Sequence, residues 1–252
     1  MSSIRITPLH TGTLKRNAAG MIMGAAPRPM DLAILMFLVQ TPDKTVLVDT
    51  GTRNPAETVP LHNPYEQTVS QRPEKVLAEV GLCPDDIDVV INTHLHWDHC
   101  SNNHLFKKAT FYVQREELRY ASAPLPAHAH GYEAFQLGLI PPFAGTKFEV
   151  LDGDCRILDG ISVLLTPGHT PGFQSVLVES GEGGCILAGD NIPFYENLRG
   201  GTIGEFTPSP IYVDLEDYYA SIRRILALGL PVVPGHDIGV LSRGKLTQAR
   251  EV

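Results

Sequence analysis

The sequence predicts an α/β chain built of mixed sheets covered by helices. Three observations point there. Short runs rich in Val, Ile and Leu recur along the chain, helical patterns fall between some of them, and the spacing is too uneven for the regular repeat of a barrel or a dinucleotide-binding fold. The length of 252 residues, with 43% hydrophobic and 19% charged side chains, suits one soluble globular domain spanning 1–252.

The elements follow in order. Ile4–Ile6, Leu32–Val39 and Thr45–Val48 read as strands; the second is the longest apolar run and is far too short to span a bilayer. Val76–Val80 reads as a short helix after Pro73. Asp88–Asn92 and Thr110–Val113 are strands, and Arg115–Tyr120 a helix. The stretch Ala121–Phe143, rich in Pro, Ala and His, reads as a long loop or cap over a site, within 121–147. Ile161–Leu165, Ser175–Glu179, Cys185–Ala188 and Val232–Val233 add strands. Gly181, Gly183 and Gly184 mark a hairpin turn, and no Lys-Ser/Thr follows as a phosphate loop needs. Gly200, Gly201 and Gly204 suggest a flexible loop. The clearest helix is Leu215–Leu228: Asp214 caps it, Leu215, Tyr218, Tyr219, Ile222, Ile225 and Leu226 share one face, and Gly229 stops it.

The bulk numbers exclude several classes. A net charge of −8 without clustered Lys and Arg argues against a nucleic-acid partner. No stretch supports a membrane span, and the first residues lack the apolar centre of a signal peptide, so a cytoplasmic location is expected. Cys83, Cys100, Cys155 and Cys185 form no C-x-x-C pair and are expected as reduced thiols.

The chemistry is concentrated in Asn-Thr-His-Leu-His-Trp-Asp-His, which places His94, His96, Asp98 and His99 within six positions. Imidazoles and carboxylates that close together are costly to bury without partners, and a divalent metal supplies the partner. Elsewhere in the chain, predicted strands run into short turns that deliver Asp49, His169, Asp190 and His236. Ligands in α/β sheets gather at the carboxyl ends of strands, so one site can collect all of these residues. Two divalent ions with four protein ligands each, one shared, require seven side chains: His94, His96, Asp98, His99, His169, Asp190 and His236. A carboxylate is the natural bridge, and Asp190 is the choice. Zinc is the first expectation, with Fe, Mn or Co able to occupy the same donors. Asp49 either caps the turn at Gly51 or holds His94 or His96 from behind. Trp97 is expected to pack beneath the cluster, Cys100 to be a small buried residue, and His104, His128 and His130 to lie in turns or loops.

These residues resemble the signature of the metallo-β-lactamase superfamily, His-x-His-x-Asp-His followed by a distant His, Asp and His. The Val-Asp49-Thr-Gly and Gly-His169-Thr-Pro-Gly segments resemble it too, and the likeness runs from about residue 32 to 237. The resemblance implies a four-layer αβ/βα sandwich with His94, His96 and His169 on one metal, Asp98, His99 and His236 on the other, and Asp190 bridging. β-Lactamases of this fold generally lack the bridging Asp. Glyoxalase II carries a C-terminal helical domain for which the chain after His236 leaves no room, and RNase Z relatives carry an RNA-binding arm not visible here.

Length and layout look most like the N-acyl-homoserine lactone lactonases, the quorum-quenching branch. That likeness implies a small-molecule substrate with an ester or lactone carbonyl, attacked by a metal-bridging hydroxide. Met21 and Met23 of the early apolar loop, with Phe143 and Phe194, would receive an acyl chain; the same loop offers a contact for a homodimer. Asp98 or Asp190 would pass a proton to the leaving oxygen. Those lactonases place a catalytic Tyr three residues after the bridging Asp; Pro193 stands there in this chain, and Tyr195 is the nearest tyrosine to take the role. The alternatives are a thioesterase or phosphodiesterase on the same metals, and an oxidative enzyme resembling the persulfide dioxygenases with a single iron.

Overall fold

The computed structural model describes residues 4–58, 60–62, 64–181, 183–200, 204–242 and 246. Two mixed sheets face each other. The first holds β1 (Arg5–Asn17), β2 (Pro29–Gln40), β3 (Thr45–Val48), β4 (Tyr65–Glu66), β5 (Val89–Ile91), β6 (Thr110–Gln114) and β7 (Phe148–Leu151), in the order β4-β1-β2-β3-β5-β6-β7. The second holds β8 (Cys155–Leu158), β9 (Ile161–Leu165), β10 (Gln174–Ser180), β11 (Gly183–Gly189) and β12 (Val232–Pro234), in the order β12-β11-β10-β9-β8. The helices are α1 (Pro73–Glu79), the single turn α2 (Trp97–Cys100), α3 (Arg115–Ser122) and α4 (Leu215–Ala227).

The layering follows from the alternation of β2. Its side chains Ala33, Leu35, Phe37 and Val39 point into a core shared with Val163 of β9, Val176 and Val178 of β10 and Leu187 of β11. The intervening Met36 and Leu38 point the other way, onto Val76 and Leu77 of α1. On the far side of the second sheet, Ile186 and Ala188 of β11 pack on Tyr218, Ile222 and Ile225 of α4. Helix, sheet, sheet, helix is the four-layer αβ/βα order that the resemblance implies. Each fully buried aliphatic side chain contributes roughly 1.5–3 kcal/mol of transfer free energy to it.

Several elements differ from the sequence reading. β1 runs well beyond Ile6 because two strand breakers are accommodated. Pro8 lies where β1 has β2 alone as a paired neighbour, and Gly12 sits at a register shift after His10. β4, β7 and β8 were not expected; they are short, and β7 and β8 alternate without a fully buried face. α1 starts at Pro73 itself. In α4, Asp214 accepts from the Asp217 amide as a cap should, but Leu215 and Leu226, expected on the buried face, are 36% and 38% exposed; Ser221 lies inward instead. Ser180 pairs with Gly183 to close the expected hairpin. The glycine-rich loop falls partly on 201–203, outside the described residues, as do the first three residues. No helix among the described residues is long and apolar enough to cross a membrane.

Candidate metal centre

One edge of the two sheets supplies the site. β3 and β5 are parallel neighbours in the first sheet, and β12 is parallel to β11 in the second. β9 shares their direction, because β10 is antiparallel to both β9 and β11. Their carboxyl ends lead into Asp49, His94, His169, Asp190 and His236. His96 stands at the N-terminal boundary of α2, and the helical turn places Asp98 and His99 one step further on.

The Gly-His-Thr-Pro-Gly segment is held between two helices. A Cβ on Gly168, whose φ is +134°, would lie 2.3 Å from the Cα of Tyr218 in α4, and one on Gly172 would lie 1.9 Å from the amide nitrogen of Glu117 in α3. Only glycine permits backbones that close. His169 is therefore fixed from both sides.

The potential donor atoms of all seven singled-out residues come together. His94, His96 and His169 form one group with donor atoms within 4.8 Å of one another; His94, His99 and Asp190 form a second, and Asp98, His99 and His236 a third. Asp190 divides its oxygens: Oδ2 lies 3.5 Å from His169 Nε2, whereas Oδ1 lies 3.2 Å from His99 Nε2 and 3.1 Å from His236 Nε2.

The outward ring nitrogens fix what the inward ones present. His169 Nδ1 donates to the Ile211 carbonyl and His236 Nδ1 to the Ala33 carbonyl, both at 2.9 Å. His99 Nδ1 donates to Asp49 Oδ2 at 2.7 Å. The Thr93 hydroxyl donates to Asp49, leaving its oxygen to accept from His94 Nδ1 at 3.1 Å. In its neutral form each of these four imidazoles thus turns an Nε2 lone pair inward. His94 Nε2 lies 2.9 Å, and His169 Nε2 3.2 Å, from His96 Nδ1. His99 Nε2 and Asp190 Oδ1 face each other while buried without a hydrogen-bond partner among the described residues. Acceptors converging on acceptors are the donor set a divalent cation requires. The residues fit two such ions.

Electrostatics agrees. Burial holds His94 and His96 well below the usual imidazole value, and the neighbouring imidazoles add to the shift; burial lowers His169 as well. Burial also opposes charge on His99 and His236, but Asp190 and Asp98 outweigh it and raise both. Asp190 is buried, yet His236, His99 and His169 hold its carboxyl well below the usual range. Protons and metal compete for the same donor atoms at His99 and His236.

The remaining expectations divide. Asp49, in the left-handed region at φ +60°, accepts from His99 rather than from the expected His94 or His96, and from both the amide and the hydroxyl of Thr93. Met21 and Phe194 are buried together with Trp97 in one apolar cluster, while Phe143 lies in another, with Tyr120 and Tyr132. Met23 is half-buried, its amide on the Pro208 carbonyl. Tyr195 packs its ring against the inter-sheet core and donates its amide to Asp237. Trp97 stacks on His62 at 3.8 Å. Cys100 is buried, its thiol on the Leu95 carbonyl and pushed up by desolvation. His104 and His130 are exposed, and His128 pairs with Tyr120.

Four contributors escaped the sequence reading. Glu117 is buried against both histidine segments, Tyr132 places its ring 4.6 Å from that of His96, and Asn92 and Asn103 hold each other behind His99. Glu117 carries a signal: it shares the i, i+3, i+4 face of α3 with Tyr120 and Ala121.

Comparison with known proteins agrees with the geometry. Residues 30–236 match the family described as the metallo-beta-lactamase superfamily. An N-acyl homoserine lactonase of a Bacillus species is 31% identical over 167 residues; the match spans 63% of this chain and 63% of that enzyme, under two thirds of its length. A probable metallo-hydrolase of Methanocaldococcus jannaschii is 33% identical over 68% of this chain and 67% of its own. A crystal structure of a mutant of AiiA from B. thuringiensis, with N-decanoyl-L-homoserine bound at its active site, shares the fold with a TM-score of 0.77 at 24% identity, over 95% of both chains. The chain belongs to the metallo-β-lactamase superfamily.

Proposed function

We propose that this chain is a hydrolase with two divalent metal ions that opens a lactone, an N-acyl-homoserine lactone or a related ester. The observation that carries the reading is Asp190, whose two oxygens face the two halves of the imidazole cluster separately. His94, His96 and His169 would hold one ion, Asp98, His99 and His236 the other, and Asp190 would bridge them. Zinc suits this nitrogen and oxygen set, which also takes Fe, Mn or Co. When bound, such a pair supplies Lewis acidity toward a carbonyl and lowers the pKa of a shared water toward neutrality.

The chain's own residues do the rest. Asp49, Thr93 and the Ile211 and Ala33 carbonyls orient the rings. Asp98 or Asp190 takes the proton of the attacking water and returns it to the leaving alkoxide. Tyr195 donates a hydrogen bond to the developing oxyanion. The segment 121–147 acts as a cap on a single domain: its Gly131 carbonyl receives the Trp97 amide at 2.8 Å, and its Tyr132 covers His96. Met21, Met23, Phe143 and Phe194 line the acyl side. The curated Bacillus relatives named N-acyl homoserine lactonases support a lactone over other esters.

The test is a panel of acyl-homoserine lactones, thioesters and phosphodiesters presented to metal-reconstituted protein. Lactone opening is expected to exceed the other two by at least tenfold in kcat/KM. Preference for a thioester or phosphodiester would redirect the reading within hydrolysis, and oxygen uptake with one iron per chain would overturn it.

A further inference from the structure

Glu117 lies outside the seven metal-type residues and is fully buried, at 0% exposure. Its Oε1 accepts from the Leu95 amide at 2.9 Å and from the Tyr132 hydroxyl at 3.1 Å; its Oε2 accepts from the Thr170 hydroxyl at 2.5 Å. Leu95 separates His94 from His96, and Thr170 follows His169. One carboxylate thus ties together two segments whose histidines, His96 and His169, are 73 positions apart. The Tyr132 ring that it anchors sits against His96. The Leu95 amide can only donate, so Oε1 must accept, and the carboxylate takes the Tyr132 and Thr170 hydroxyls as further donors. Burial raises this carboxyl, and the hydrogen bonds from Thr170, Leu95 and Tyr132 pull the other way.

We propose that Glu117 is the positioning residue that assembles His94, His96 and His169 into one ligand set, so that affinity for the ion at that group depends on it and affinity at Asp98, His99 and His236 does not. The proposal rests on the two-metal reading above. No donor to Glu117 comes from Asp98, His99 or His236, which is why the effect is confined to one half. A glutamine has the shape of Glu117 but one acceptor oxygen instead of two: with that oxygen on the Leu95 amide, its NH₂ meets the Thr170 hydroxyl, which must turn from donor to acceptor. A valine at Thr170 keeps the volume and removes one link.

The experiment titrates cobalt(II) into the metal-stripped full chain and follows visible absorption, with His169→Ala and His236→Ala assigning the two binding steps. Glu117→Gln is expected to weaken the step lost in His169→Ala by about tenfold or more, the range seen when groups behind metal ligands are removed, and to leave the other step unchanged. Thr170→Val should follow Glu117→Gln, and Thr170→Ser should restore wild-type binding. Should Glu117→Gln not fold, the Thr170 pair decides alone. Wild-type affinity at both steps in Thr170→Val, or equal weakening of both, would overturn the proposal. A wild-type chain that takes up fewer than two ions overturns the two-metal reading instead, and does so before any Glu117 or Thr170 variant is measured.

Discussion

Asp49 holds His99 from behind, with its Oδ2 2.7 Å from His99 Nδ1. The same carboxylate accepts the amide and hydroxyl of Thr93, both at 2.8 Å, so three donors from two residues converge on it. Asparagine tolerates the left-handed backbone here but offers one acceptor oxygen instead of two. Asp49→Asn is therefore expected to leave the fold intact and to weaken metal binding at the Asp98, His99 and His236 group by about 10- to 100-fold. Metal content after dialysis against a graded chelator checks this; full retention would leave Asp49 as a turn cap only.

The histidines set opposite pH slopes. His94, His96 and His169 lie below 6.5 in the folded chain, so on acidification the unfolded chain takes up protons first and stability falls as pH drops below about 6.5. His99 and His236 are raised, so their contribution is complete below 6.5 and is lost as pH rises through their folded values. Asp190 is depressed, so its contribution is present above 3.8 and fades as pH falls through its folded value. Metal-stripped protein should be most stable near pH 6.5, with the urea midpoint dropping on either side. Metal binding at His99 and His236 should release protons and tighten with pH, whereas binding at His94, His96 and His169 should release few. A weakly buffered titration with a pH indicator reads the difference.

A second buried carboxylate serves stability. Glu133 is 1% exposed, has φ +45°, and pairs with the Arg53 guanidinium and with His62 Nε2, the latter at 3.2 Å. His62 in turn stacks on Trp97, inside the His-x-His-x-Asp-His turn. Removing Arg53 leaves Glu133 buried with the His62 ring beside it. Arg53→Ala should lower stability by about 2 kcal/mol, less than a fully buried pair because Arg53 is partly exposed. Urea unfolding with metal present measures it.

What was legible in the sequence depended on the range of the cause. His94, His96, Asp98 and His99 are neighbours in the chain, and the strands before Asp49, His169, Asp190 and His236 are apolar enough to show their ends. The two faces of β2 were visible as a continuous apolar run, the mark of a strand covered on both sides. β1 was cut short because Pro8 and Gly12 look like breakers until β2 and the bulge are in place. Glu117 was passed over because a charge at the start of a helix ordinarily faces water; only the segments at Leu95 and Thr170 explain why it faces inward. Leu215 and Leu226 misled in the opposite sense, being apolar and on the expected stripe, yet lying at its solvent margin.

Tyr195 is where sequence likeness and packing make different demands. Pro193 occupies the position at which the lactonase pattern has its tyrosine, and Tyr195 opens the turn Tyr195–Leu198, with its amide on Asp237, the neighbour of His236. That bond ties the turn to the segment that carries a metal-type histidine, which suits a hydroxyl acting beside the metals. Its ring also contacts the inter-sheet core, so phenylalanine should preserve the packing. An interaction made only in the transition state lowers kcat and kcat/KM together and leaves KM alone. Tyr195→Phe is thus expected to reduce both by about tenfold, the value of one hydrogen bond to developing charge, with the melting temperature unchanged. Steady-state kinetics on the best lactone of the panel decides it: an unaltered turnover number would assign the ring to packing and return the oxyanion to the metals alone.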